Sequence, residues 1–125
     1  MMIAFWSGHV VSENRRLAPG RGRWHLSKEY RAFKLSLVSA FTPGAERFEG
    51  PVSVRLIMQL RNKRRDAQNL IKPVLDALQE AGVYADDRQV RHLTLTREDA
   101  PSIAMEDWMS ITVWQDNAVV DREGT

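Results

Sequence analysis

Cysteine is absent from all 125 residues, which removes disulfides, thiolate nucleophiles and cysteine-ligated zinc from the available chemistry. The absence also suits a reducing cytoplasm, the location expected for this chain. Long apolar runs are absent too. The opening run MMIAFW falls far short of the roughly 18 apolar residues that a membrane-spanning helix needs. It has no basic leader and runs straight into Ser7, Gly8 and His9, so it reads as a first strand and not as an export signal. No membrane partner is expected. Internal repeats and low-complexity tracts are also missing. What remains is ordinary for a globular chain: 43% hydrophobic and 27% charged residues, in a length that suits one domain (1–125) around one core.

Acidic residues are scarce in one half only. Residues 1–65 hold 4 Asp/Glu against 13 Lys/Arg, a net +9, whereas residues 66–125 hold 12 against 5, a net −7. The overall +2 conceals this division, and the sign changes at Asp66. Such asymmetry points to a polyanion partner for the first half; mutual neutralisation of the two halves is the alternative.

The stretch 8–26 contains three glycines, Pro19 and four arginines, and reads as a long basic loop. Arg15, Arg16, Arg21 and Arg23 suit phosphate contacts, with Trp24 available for stacking and His25 beside it; a solvated loop is the plain alternative. Ser27 suits a helix N-cap, and Tyr30, Phe33, Leu37, Val38 and Phe41 then recur at helical spacing until Pro43 and Gly44. VSVRLIMQL at 52–60 alternates as a strand with Val52, Val54, Leu56, Met58 and Leu60 on one face. Pro73 is tolerable only in a first helical turn, so a second helix should start near Asn69 or Leu70 and end near Ala81, with Gly82 closing it. VRHLTLTR (90–97) and WMSITVW (108–114) read as two antiparallel strands joined by a turn at EDAPS, before a tail that frays from about 116. The order β-α-β-α-β-β predicts an α+β fold: a mixed sheet of about four strands with two helices packed on it.

Two short acidic clusters flank the second helix, RRDAQNLIKP at 64–73 and YADDRQV at 84–90. Asp66, Asp86 and Asp87 supply hard oxygen donors of the kind a hydrated magnesium ion takes, usually one or two carboxylates per ion. Lys63, Arg64 and Arg65 crowd Asp66, which suits a site where phosphate and metal are accommodated together. The same residues equally suit turn and helix caps. Lys72 and Asp76 pair at i, i+4 spacing. His9, His25 and His92 do not stand at ligand spacing from one another. Trp6, Trp108 and Trp114 fit a core or an interface.

The run from Arg64 to Val90 resembles the core signature of the RusA family of Holliday junction resolvases: D-x-D-N-x-x-K, then D-A-L, A-G and a closing D-D-x-Q-V. The upstream segment SENRRLAPGRGRWHLSKEYRAF is similar to the family's N-terminal region, and the likeness spans most of residues 5–114. The resemblance implies a magnesium-dependent (manganese also possible) endonuclease that acts as a homodimer. It would place paired nicks in four-way or branched DNA during recombination and repair. It assigns metal-binding roles to Asp66 and Asp87 and to the position held by Gln68, where the family has aspartate. It assigns catalytic roles to Asp66, Lys72, Asp86 and Asp87, and a DNA-binding position to Asn69. Gln68 is the departure: an amide dipole stands in for a full charge, which implies a weakened site, compensation by Asp86, or a protein that binds junctions without cutting them. A straight-line reckoning puts Asp66 and Asp87 at opposite ends of a helix about 18 Å long. A same-chain site is then barely within reach of the link after the helix, unless the segment before the helix folds back along it. A site shared between two antiparallel subunits is the alternative.

Overall fold

The computed structural model describes residues 1–11, 17–20 and 23–117, with residues 17–20 and 23–26 described by backbone alone. Six strands and two α-helices follow in the order β1 (Met2–Gly8), β2 (Leu17–Gly20), β3 (Arg23–Leu26), α1 (Lys28–Phe41), β4 (Val52–Leu60), α2 (Ile71–Glu80), β5 (Val90–Asp99) and β6 (Asp107–Gln115). The main sheet has the order β1-β6-β4-β5, antiparallel at its first two pairings and parallel between β4 and β5. It is the mixed four-stranded sheet with two helices that the sequence predicts, within an α+β fold.

Period-two burial builds the sheet. Met2, Ala4 and Trp6 of β1 face inward with Met109, Ile111 and Val113 of β6 and Val54, Leu56 and Met58 of β4. Onto this face pack Phe33, Leu37 and Phe41 of α1 and Val74, Ala77 and Leu78 of α2. At about 1.5–3 kcal/mol for each large side chain withdrawn from water, this layer supplies most of the driving force for folding. Ser27 caps α1 as expected, its Oγ accepting the Tyr30 N–H at 3.1 Å. Pro43 and Gly44 follow in a short 3-10 turn.

Three expectations change. Residues 8–26 are not wholly loop, because β2 and β3 pair antiparallel within them, Leu17 opposite Leu26 and Gly20 opposite Arg23. The strands β5 and β6 run in opposite directions but are not neighbours, since β4 lies between them and pairs with both. The parallel β4–β5 pair needs a crossover, which α2 provides, and the 100–106 link then spans two strand spacings, about 10 Å. The chain also stays ordered past residue 115: Asp116 is buried and its N–H donates to the Pro51 carbonyl at 2.9 Å. Residues 118–125 of the expected frayed tail lie outside the described residues. No helix among the described residues is long and apolar enough to cross a membrane.

Candidate active site

The segment leading into α2 is built by its own polar side chains. Asn62 Oδ1 accepts the Arg64 N–H at 2.9 Å and its carbonyl accepts the Arg65 N–H at 3.1 Å, closing a tight turn. Asp66 then caps a 3-10 turn over Ala67–Leu70, its Oδ1 accepting the Gln68 N–H at 2.9 Å. Asp66 therefore stands one short turn ahead of α2 and does not cap it directly. Its carboxylate and the Gln68 side chain are exposed, while Ala67 and Leu70 are buried and anchor the turn from below.

The far end of α2 determines where Asp87 goes. Gly82 adopts φ +87°, its N–H donates to the Gln79 carbonyl at 3.0 Å, and the Val83 N–H reaches back to the Leu78 carbonyl at 3.0 Å. This paired arrangement is a Schellman cap, and a left-handed residue at that position favours glycine. It turns the chain back along the helix it has just left. Tyr84 is buried and its hydroxyl donates to the Leu75 carbonyl at 2.8 Å. Gln79 Oε1 accepts the Asp87 N–H at 3.1 Å. The Asp87 carboxylate finally lies 3.7 Å from Lys72 Nζ, in the first turn of the same helix.

This return brings Asp87 alongside the helix within a single chain. The helix has ten residues and a length of about 15 Å, so a six-residue return from Gly82 to Asp87 covers it. Within one chain the acid that follows α2 returns along the helix to the ammonium of Lys72, which itself reaches toward Asp76. Lys72 also bonds Asp76 at 2.9 Å, the i, i+4 pair expected, and Lys34 of α1 extends the network to Asp76 at 4.0 Å and Glu80 at 2.9 Å. Burial, then the nearby charges of Asp87 and Asp76, push the Tyr84 hydroxyl far above its ordinary range, so it stays a donor.

Asp86 points elsewhere. It caps the short 3-10 turn Asp87–Gln89, accepts the Arg88 N–H at 2.9 Å and pairs with the Arg88 guanidinium at 3.1 Å. The Arg88 backbone N–H first, and then its side chain, hold the Asp86 carboxyl below the usual carboxylate range. Gln89, the Q of D-D-x-Q, is fully engaged. Its Oε1 accepts the N–H groups of Ala85 and Asp86, and its Nε2 donates to the carbonyls of Phe48 and Gly50. Sequence reading gave Gln79 and Gln89 no role, yet both hold the acidic turn in place.

The remaining expected residues are spread around this end. Lys63 and Arg64 are exposed, Arg65 and Asn69 half-buried, and among the described residues none of the basic side chains at 61, 63, 64 and 65 pairs with a carboxylate. The basic turn is thus not neutralised by the acidic half. Arg61 and Lys63 also line a cavity of about 200 Å³ whose other wall is the link carrying Ala100, Pro101, Ser102 and Ala104. Arg15, Arg16 and Arg21 lie outside the described residues, and Arg23 and Trp24 are placed by backbone only, on β3.

For a divalent cation the available donors are oxygens: two carboxylates and one exposed amide. Among the described residues, no group of three or more His, Cys, Asp or Glu side chains converges. Such oxygens are hard donors, chemically suited to a hard, largely hydrated divalent ion and not to a cage closed by protein ligands.

Comparison with known proteins agrees with the geometry. The family described as Endodeoxyribonuclease RusA matches residues 8–113. Similar proteins include the crossover junction endodeoxyribonucleases RusA of Enterobacteria phage 82, Shigella sonnei (strain Ss046) and Escherichia coli (strain K12). Each is 37% identical over 83 residues, which cover 63% of this chain and 68% of the relative. With Asp87 of the second signature cluster returned to Lys72 of the first, and the family match covering most of the chain, the chain belongs to the RusA endodeoxyribonuclease family.

Proposed function

We propose that this chain is a divalent-metal-dependent endonuclease that cuts four-way or otherwise branched DNA; its relatives are named crossover junction endodeoxyribonucleases. The observation that carries the reading is the return of Asp87 to Lys72, which brings an acid and a lysine of the family signature together within one chain. Asp66, Asp87 and the Gln68 amide oxygen would hold the ion, magnesium by preference with manganese as a substitute. Bound there, it supplies polarisation of a phosphoryl oxygen and an activated water. Lys72, beside Asp87, counters the charge that builds on the attacked phosphate. Lys63, Arg64 and Arg65 hold flanking phosphates and fix the register of the strand. Asp86 anchors the acidic turn through Arg88.

A homodimer completes the proposal, because paired nicks in an approximately twofold junction need two equivalent sites. A second reading, junction binding without cleavage, is favoured by one observation: Gln68 stands where a third carboxylate would complete the family's set. The deciding test is a synthetic four-way junction incubated with the protein across a magnesium titration, with a chelator as control. Paired nicks that vanish with chelator support the endonuclease. Binding that persists with no cleavage at any magnesium concentration supports the second reading, and no binding removes both.

A further inference from the structure

The turn that carries Arg61, Lys63, Arg64 and Arg65 has no apolar anchor of its own, and its like charges repel one another. Two residues from distant strands hold it. Arg97 of β5 donates from Nη1 to the Arg65 carbonyl and from Nη2 to the Asn62 carbonyl, the latter at 2.8 Å. Asp107, at the start of β6 and only 7% exposed, accepts the Arg61 N–H on Oδ1 at 2.8 Å. Its Oδ2 accepts the Val10 N–H at 3.0 Å. Val10 lies at the root of the segment that goes on to Arg15 and Arg16. One buried carboxylate therefore ties together the bases of both cation-rich stretches.

Both residues occupy inward positions where alternation calls for an apolar side chain. Arg97 continues Leu93 and Leu95 and stands beside Met58; Asp107 precedes Met109, Ile111 and Val113. Asp107 is buried there and Arg97 half-buried. Withdrawing charge from water is costly unless it is paired or hydrogen-bonded, and backbone groups of the turn and of Val10 provide the bonds. An arginine beneath four other cations worsens their repulsion, so its use is the fork it offers to two carbonyls. We infer that Arg97 and Asp107 are positioning residues: a two-sided clamp that sets the 61–65 turn, and Asp66 directly after it, in the orientation that meets DNA. The inference rests on the endonuclease reading for its consequence, not for the clamp itself.

The test separates clamp from charge. Junction binding is measured without divalent metal over a range of salt, for folded variants checked by thermal melting. Removing a negative charge by Asp107→Asn would tighten binding if only the field mattered; the clamp predicts binding weaker by about tenfold and a shallower salt dependence, because phosphates are lost. Arg97→Gln should weaken binding similarly. Arg97→Lys keeps the charge but not the fork, and should recover less than half of that loss. Wild-type affinity in Arg97→Lys, or equal or tighter binding by Asp107→Asn, would overturn the inference; should Asp107→Asn not fold, the Arg97 pair decides alone. Amide exchange in the DNA-free protein tells this outcome apart from failure of the endonuclease reading. Slow exchange at Val10 and Arg61 supports the clamp even if no junction is bound, and fast exchange there removes it.

Discussion

At the scale of single residues, Asp87 and Gln68 carry the sharpest consequences. The Asp87 carboxylate lies 3.7 Å from Lys72 Nζ and is only half-buried, so asparagine fits without disturbing the core. Asp87→Asn should leave junction affinity within about threefold of wild type and reduce nicking by two orders of magnitude or more, as loss of a group that supports the transition state does. Equal nicking by the variant, followed on a denaturing gel, would take Asp87 out of the reaction. For Gln68 the sign is opposite. Gln68→Asp adds a full charge beside Asp66 at an exposed position, so half-maximal nicking should need roughly tenfold less magnesium, the worth of about 1.4 kcal/mol of binding. No shift in that midpoint would show that the amide already serves. Asp66, Gln68, Lys72 and Asp87 were legible through the resemblance of one short run, 64–90, to the family signature. Arg97 and Asp107 were not, because a lone charge at an inward strand position looks like noise until the strand's neighbours are known. The available signal was the break in alternation: L-x-L-x-R in β5 and D-x-M-x-I-x-V in β6.

At the scale of elements, the site depends on how α2 ends. Gly82 was readable as a helix stop, and so was the buried face of Leu70, Val74 and Leu78. What the sequence did not convey was the direction taken afterwards, which follows from the Schellman cap and from Tyr84, Gln79 and Gln89 fastening the return. Counting residues along straight lines leaves a same-chain return barely within reach; the helix is shorter than its periodic pattern, and the return is held by side chains from both ends. The adjacency of β5 and β6 was misjudged. Sequence neighbours usually pair, but here β4, with its inward side chains buried along its whole length, takes the central place between them. A prediction belongs at this level. A Cβ on Gly82 would meet nothing within 4 Å, so Gly82→Ala has no steric cost beyond its backbone strain at φ +87°. The strain should lower stability by about 1 kcal/mol in a denaturant melt, with nicking falling further than stability because the return carries Asp87. A variant as stable as wild type would mean that the cap relaxes freely.

At the scale of the whole molecule, the question is whether the basic half is spent internally or kept for a partner. The observed ion pairs between the halves, Lys34 with Asp76 and Glu80, lie along the helices. They leave the 61–65 turn without a carboxylate partner among the described residues. Four cations on that turn engaging four phosphates would give a slope of about −3.6 in log affinity against log salt, since each contact on duplex DNA contributes about −0.9. Affinity would then fall by about two orders of magnitude between 50 and 200 mM salt. If Arg15, Arg16, Arg21 and Arg23 also reach phosphates, eight contacts would steepen the slope to about −7. Titrating salt against a labelled junction thus counts the contacts and says whether the 8–26 segment joins the turn on DNA. A slope near −3.6 assigns binding to the turn alone, and one near −7 enlists both stretches. A slope near zero would contradict electrostatic engagement altogether, and with it the use assigned here to the charge that changes sign at Asp66.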